Sequence, residues 1–434
     1  MIHAFGAETA AQWGESANPG RDKPTLRETP GMTRVALQAA RIFDGERLLD
    51  ENVVLVDDGK IVGLAREVPA DWLVRSLPGA TILPGLIDAH VHLTADAGLG
   101  ALDRLATTPA EAATPTYAAA IATTIEQSLR IHLAAGVTTV RDLGDPRDAV
   151  LRWRRSAAPD LPTVVASGAP LTSVGGHCWA LGGEVSGAAE MRTAVQARAA
   201  NGADVIKIMA SGGVLTPGSD TMSAQFTLEE LKAATDEAHE QGLPITAHAH
   251  ALAAVRQALA AGVDGIEHCT CLTPQGASVE VELGRAIAAA GIAVCSTLGS
   301  DRSIVVPPAV LEMVAKAGIG EAILQEAVRR LYDAGVKLVG GSDGGIGPAK
   351  PHGLLPATLA EYVEAGIPPI AALTAGTSAA ADALRVEKGR IRAGADADLL
   401  VVAGDPTEDI TTLAAPTAVY LGGEDVTPDA SAGR

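Results

Sequence analysis

The sequence predicts an α/β protein: a (β/α)8 TIM barrel with a small β-sandwich domain that both ends of the chain form together. Three features of the sequence lead to this fold. Amphipathic helical segments alternate with short apolar runs along most of the 434 residues. These runs are apolar on both faces, as buried parallel strands are. Strand-like segments with sharp turns stand at both ends of the chain, outside the alternating region.

Each repeat of the alternating region is an Ala-rich helix that ends at a glycine and is followed at once by a β-rich run. Glycine adopts the left-handed conformation just past a helix at little cost, so these glycines mark helix ends. The repeats are HLAAGVTTVRDLG, ARAANGADVIKIM, AHEQGLPITAHAH, ALAAGVDGIEHC, IAAAGIAVCSTL and LYDAGVKLVGGSDGG. Two further strands are expected in ATILPGLIDAH and PTVVASG. Eight strands separated by helices predict a TIM barrel.

The two flanking segments carry hairpin signals. Asp44-Gly45 and Asp58-Gly59 separate short β-like runs near the start, and KGRIRAGADADLLVVAGDP and TAVYLGGEDVTP are β-like near the end. The first residues are polar and rich in Gly and Pro, which favours disorder. The predicted organisation is a disordered extension over 1–32, sandwich segments over 33–82 and 385–425, the barrel over 83–384, and a tail over 426–434.

Composition and charge narrow the range of partners. The net charge is −19, so nucleic acid and anionic membrane surfaces are not expected as partners, because both repel an acidic protein. No apolar stretch reaches the roughly 18 residues that cross a bilayer. The four cysteines are too few and too irregularly spaced for a disulfide framework. We therefore expect a cytoplasmic protein that acts on a small molecule.

Polar side chains occupy the ends of five predicted barrel strands, where barrel enzymes place their chemistry. His90 and His92 are two residues apart, so both point to the same face of a strand and can share one ion. A single strand-end histidine is usually a core residue, but a matching set on five strands indicates a divalent metal such as zinc. The set is His90, His92, Lys207, His248, His250, His268 and Asp343.

Lys207 is the unusual member of this set, because an ammonium group cannot bind a metal. It lies in the otherwise apolar run VIKIM, and a buried lysine without a partner is costly. Either Lys207 pairs with an acid or it is chemically changed. Burial favours the neutral amine, which can add carbon dioxide to give a carbamate, an anionic ligand with two oxygens.

The motifs DAHVH, IKIMASGG, TAHAH, IEHC and GGSDGG occur in this order. In these motifs the chain resembles the amidohydrolase superfamily, in the branch of imidazolonepropionases and prolidase-like dipeptidases. The resemblance implies two Zn²⁺ ions. One would be held by His90, His92 and Asp343 and the other by His248 and His268, with N6-carboxylysine at Lys207 and a hydroxide as bridges. It also implies a homo-oligomer.

Further residues are candidates for catalysis and substrate binding. Asp343 is expected to take a proton from the attacking water and pass it to the departing nitrogen. His177, in a glycine-rich loop after the third strand, is expected to meet the charge of the tetrahedral intermediate. His250 is assigned to substrate. Phe226 and His352 are the remaining candidates for substrate contact.

The predicted function is hydrolysis of amide C–N bonds with a metal-bridging hydroxide. The substrates would be dipeptides, cut by a dipeptidase or carboxypeptidase activity, or N-acyl amino acids, and ochratoxin-like amides are included. One alternative is a cyclic-amide hydrolase or deaminase of the imidazolonepropionase type; such relatives generally use one metal and lack the lysine. Another is a non-catalytic scaffold on the same fold, which would be expected to lose ligands that this chain keeps.

Overall fold

The computed structural model describes residues 34–317 and 319–427. The predicted disordered extension over 1–32 and most of the predicted tail lie outside the described residues. The described residues form sixteen strands: β1 (Val35–Ile42), β2 (Val53–Asp57), β3 (Lys60–Ala65), β4 (Leu73–Pro84), β5 (Leu86–Val91), β6 (Val137–Asp142), β7 (Thr163–Ala166), β8 (Ile206–Met209), β9 (Ile245–Ala251), β10 (Gly265–Thr273), β11 (Gly276–Ala277), β12 (Ala293–Cys295), β13 (Lys337–Leu338), β14 (Leu399–Ala403), β15 (Pro416–Leu421) and β16 (Glu424–Asp425).

Helices occupy most connections between the barrel strands. They are α1 (Pro109–Ala112), α2 (Pro115–Ala134), α3 (Ala149–Trp153), α4 (Gly187–Ala200), α5 (Leu228–Glu240), α6 (Leu252–Ala261), α7 (Val281–Ala289), α8 (Pro308–Ala317), α9 (Glu321–Asp333), α10 (Leu355–Glu364), α11 (Pro369–Ala375) and α12 (Ser378–Leu384). Helix α5 begins with a capping box in which Thr227 and Glu230 each accept a hydrogen bond from the other's backbone N–H. No helix among the described residues is long and apolar enough to span a bilayer.

The barrel consists of eight parallel strands in two sheets. One sheet has the order β5-β6-β7, and the other contains β8, β9, β10, β12 and β13 in that spatial order. Parallel bridges join the sheets at both seams, Leu171 to Ile208 after β7 and Val91 to Gly344 after β13. The predicted TIM barrel is confirmed, and the second seam brings the end of β5 against the chain that follows β13.

Both ends of the chain meet in one seven-stranded sheet with the order β16-β15-β14-β4-β1-β2-β3. Strand β4 pairs antiparallel with β14, so that Leu83 lies opposite Leu400. These two residues belong to the apolar cluster that contains Leu129 of α2, whereas their neighbours on the opposite face form a separate core. The expected pairing of the two chain ends is confirmed, and the sheet covers one side of the barrel.

Candidate metal and active site

The first group of polar side chains forms at the seam between β5 and the chain after β13. The backbone N–H of Asp343 donates to the carbonyl of His90 at 2.8 Å, and that of His92 donates to the carbonyl of Gly344 at 2.9 Å. This pairing places the side chains together. Nε2 of His90 and Nε2 of His92 lie 3.4 and 3.2 Å from Oδ1 of Asp343. The three side chains offer donor atoms within 4.8 Å of one another, which suits a metal ion.

The second group consists of three imidazoles, His248 and His250 from β9 and His268 from β10. One ring nitrogen of each lies within 4.8 Å of the others. Nδ1 of His250 lies 2.9 Å from Oγ1 of Thr270, and Nδ1 of His268 lies 2.7 Å from Oγ1 of Thr297, so Nε2 of both rings is left for a ligand. The structure therefore adds His250 to the residues that could bind a metal.

Lys207 lies close to both groups. Its residue is only 2% exposed, and Nζ has no hydrogen-bond partner among the described residues. Lys207 lines the same cavity as His90 of the first group and His248 of the second. Burial lowers the pKa of Lys207 itself and so favours the neutral amine. An unpaired buried amine among metal-ligand candidates fits a group that becomes an anionic ligand.

Burial also keeps most of the imidazoles neutral, which is the form that binds metals. It lowers the pKa of His90 and of His250 to about 4 and the pKa of His248 and of His268 well below the usual range. His92 differs: burial opposes its charge, but the hydrogen bond that its Nε2 donates to Asp343 raises its pKa.

Three residues of the site have left-handed backbone conformations: His268 with φ 68°, Thr297 with φ 49° and Asp343 with φ 59°. Such conformations cost non-glycine residues about 1–3 kcal/mol each and cluster at functional sites. His268 lies where the pairing of β10 with β9 shifts in register, and Thr297 and Asp343 follow the ends of β12 and β13. The strain supports a functional role for this ring of residues.

The buried carboxylate of Glu267 contacts His90 of the first group. This residue was not predicted from the sequence as part of the site. Oε2 of Glu267 lies 2.8 Å from Nδ1 of His90, while Oε1 accepts hydrogen bonds from Thr246 at 2.6 Å and from Arg141 at 2.9 Å. Burial raises the pKa of Glu267, but the charges of Arg141 and His90 outweigh it and hold the pKa well below its usual range. The signal in the sequence was a carboxylate in the buried run GIEHC, directly before His268, because a buried carboxylate needs a partner.

We expect Glu267→Gln to weaken metal binding at the His90 group by about 10- to 100-fold, because partners of this kind orient the ligand imidazole. It should also lower the free energy of unfolding by about 3–5 kcal/mol, since Arg141 loses its buried counter-charge. Metal titration and thermal unfolding measure the two effects. Glu280→Gln, which removes the exposed partner of Arg256, should cost less than about 1 kcal/mol and leave metal binding unchanged. Equal effects of the two variants would contradict the supporting role of Glu267.

His177 reaches the site from the loop between β7 and α4. Its ring centroid lies 4.6 Å from that of His248, and Nδ1 lies 2.9 Å from Oγ1 of Thr216. Burial lowers the pKa of His177 to about 3, so the imidazole is neutral. If Nδ1 accepts from the Thr216 hydroxyl, Nε2 carries the proton and can donate a hydrogen bond to a substrate oxygen.

Two residues predicted to contact substrate, Phe226 and His352, lie outside the cavity lining. Phe226 is 5% exposed and packs in the apolar core with Leu171, and it does not line the cavity. Nε2 of His352 lies 2.8 Å from the carbonyl oxygen of Ala95, and Nδ1 lies 3.2 Å from Nε2 of His132. His352 therefore anchors the loop after β5 and is likewise absent from the cavity lining. Both side chains turn away from the barrel mouth because of packing that the local sequence does not encode.

The site lies at the base of a cavity of about 1140 Å³. This exceeds the roughly 300–1,000 Å³ of common ligand pockets. Loops after β5, β8 and β12 form its walls, and the outer part is mainly apolar. Residues that line the outer part include Leu99, Leu215, Met222, Ile304, Leu311 and Ile346. The cavity can therefore hold a substrate with a polar end at the site and an apolar group toward the opening.

Comparison with known proteins agrees with this geometry. A sequence profile described as the amidohydrolase family matches residues 81–426. Ochratoxinase of Aspergillus niger is 30% identical over 414 residues, which cover 87% of this chain and 82% of the relative. An uncharacterized protein of Mycobacterium tuberculosis is 27% identical over 358 residues, or 81% of this chain and 86% of that protein.

Solved structures give the same picture. A Xaa-Pro dipeptidase with methionine bound in its active site has a TM-score of 0.75 and 26% identity, covering 91% of this chain and 99% of its own. A prolidase complexed with N-methylphosphonate-L-proline has a TM-score of 0.75 and 28% identity, with coverage of 91% and 99%. These proteins share the fold over nearly the whole described part of the chain.

Proposed function

This chain belongs to the amidohydrolase family of hydrolases, and we propose that it cuts amide C–N bonds of dipeptides or N-acyl amino acids by means of a binuclear zinc centre. The proposed substrates include ochratoxin-like amides. The observation that carries this proposal is the buried amine of Lys207, which has no hydrogen-bond partner among the described residues and lines the same cavity as both groups of metal-ligand candidates.

The donor chemistry of each group supports one ion. His90, His92 and Asp343 would hold the first ion, and His248 and His268 the second. Addition of the neutral Lys207 amine to carbon dioxide, with loss of a proton, would give N6-carboxylysine, whose two oxygens suit a bridge. When bound, the ions would lower the pKa of a water molecule and polarise the carbonyl that it attacks.

The side chains of this chain would supply the remaining steps. Asp343 accepts the proton of the attacking water and passes it to the departing nitrogen, so that an amine and a carboxylic acid are released. Nε2 of His177 donates a hydrogen bond to the carbonyl oxygen as negative charge develops there. The apolar outer cavity excludes water around the acyl group of the substrate.

The direct test is a hydrolysis screen of the purified, zinc-supplied protein. Matched dipeptides, N-acyl amino acids and cyclic amides are incubated with the protein, and released amine and ammonia are measured with and without a chelator. We expect chelator-sensitive release of amino acids from linear amides and about two zinc ions per chain. Product from cyclic amides alone, or ammonia alone, would favour the imidazolonepropionase-type reading. A protein that retains no stoichiometric metal and cleaves nothing would be a scaffold.

We expect His177→Asn to lower kcat by about 10²- to 10³-fold, as removal of a donor to a developing oxyanion does elsewhere. KM and zinc content should change little, because the imidazole is not among the proposed ligands. His239→Asn is the control. His239 lies on α5, its side chain is exposed, and it forms an ion pair with Asp264. A loss of zinc from His177→Asn would show that the residue supports the metal centre instead.

A further inference from the structure

Lys350 lines the cavity, and its ammonium group contacts the residue that precedes Asp343. It closes a short loop after β13, in which its N–H donates to Gly347 and its carbonyl accepts from Gly345, at 2.8 and 2.7 Å. The side chain then crosses to the end of β12. Nζ donates to the carbonyl of Thr297 at 2.7 Å and makes longer contacts of 3.2 Å with the carbonyl of Ser342 and 3.3 Å with that of Leu298.

The positive charge of Lys350 is not balanced by direct contact with an acid. Its three partners are neutral carbonyl oxygens, and no carboxylate of the described residues lies within 4.0 Å of Nζ. Three carboxylates, Asp343, Glu361 and Asp88, act on it only through the field between them. Two of its three hydrogen bonds are long and therefore weak. An incoming anion can replace one of these two while the short bond to Thr297 is kept.

Few other cations are available to an anionic substrate. Among the described residues that line the cavity, the ammonium groups are those of Lys207, Lys316 and Lys350, and none of the lining residues is an arginine. Lys207 is committed to the metal centre in the proposed function. Lys316 lies on α8 and is exposed to solvent. Lys350 is therefore the remaining ammonium at the level of Asp343.

We propose that Lys350 binds the carboxylate of the substrate and selects amides of amino acids over neutral amides. The inference rests on the proposed amide hydrolase function. Ser342, which Nζ contacts, directly precedes Asp343, the predicted proton carrier for the leaving nitrogen. In an N-acyl amino acid the carboxylate is one carbon away from that nitrogen, so the two groups of the substrate match the two groups of the site.

The test compares an N-acyl amino acid that the protein cleaves with the same molecule as its C-terminal carboxamide. Lys350→Met should lower kcat/KM for the acid by about 10- to 100-fold, mainly through KM, since a hydrogen bond to a charged group is lost. The value for the carboxamide should change less than about threefold, and zinc content should be unchanged. Lys337→Met, at the exposed start of β13, should leave both substrates unaffected. Equal losses of kcat/KM for the acid and the carboxamide would overturn the proposal. They would mean that Lys350 only stabilises the segments after β12 and β13 by its hydrogen bonds to their carbonyls.

A binding measurement separates this inference from the proposed function. Calorimetry of the zinc-loaded protein with L-phenylalanine and L-phenylalaninamide should show preference for the acid, lost in Lys350→Met. If the wild type cleaves no amide but shows this preference, the proposed function fails, whereas carboxylate binding by Lys350 stands. If the wild type binds both compounds equally or neither, the inference fails whatever the activity. Should Lys350→Met not fold, Lys350→Gln removes the charge and keeps donors for the carbonyls.

Discussion

Lys207→Ala is expected to reduce bound zinc from two ions per chain to one or none and to abolish amide hydrolysis. Activity should fall by more than about 100-fold, beyond the 10- to 100-fold typical of residues that only orient a ligand. The reason is that the proposed carbamate is the side chain that would bridge the two groups. Metal analysis and turnover of the same preparation measure the effect. Lys232→Ala, an exposed lysine on α5, is the matched control.

The chemical nature of the bridge can be tested separately. Metal-free wild type, reconstituted with zinc in buffer freed of carbon dioxide, should regain little activity until bicarbonate is added. A short carboxylic acid such as propionate should partly restore Lys207→Ala, because it supplies two oxygens in the space the side chain leaves. An unaffected metal count in Lys207→Ala would remove the binuclear proposal and favour the one-metal alternative.

Asp343→Asn is expected to lower kcat by about 10²- to 10⁴-fold, the range assigned to general acid–base catalysis. The amide keeps the size of the side chain but cannot take a proton. Burial alone would raise the pKa of Asp343, but His90, His92 and Lys350 outweigh it and hold the pKa below its usual range. The group is therefore a carboxylate throughout the working pH range.

Asparagine is the informative substitution because Asp343 has φ 59°, a conformation that Asp and Asn tolerate and most residues do not. Asp58→Asn is the matched control, since Asp58 has φ 49° in the exposed β2–β3 hairpin. Its activity and stability should be unchanged. If Asp343→Asn retained full kcat with normal zinc content, the proton transfer would have to be assigned to another residue.

Local sequence determined most of the fold and indicated most of the residues that we propose for the site. Helix-ending glycines and short apolar runs define the barrel strands, because a glycine sets the backbone conformation at its own position and an apolar run needs only a few residues to form a buried strand. His90 and His92 are two residues apart, so they point to the same face of strand β5. The hairpin at Asp58-Gly59 was confirmed for the same reason: positive φ at both turn residues is a local demand.

Only the tertiary structure decided which of these side chains meet. The seam between β5 and the chain after β13 joins His90 and Asp343, which are far apart in sequence. Lys207 has no hydrogen-bond partner among the described residues, and this depends on the side chains that surround it in the folded barrel. Arg141 finds its counter-charge on another strand, in Glu267, and Phe226 turns into the core. Side-chain direction in loops and pairing between strands depend on packing across the whole barrel, and no local pattern of residues contains that information.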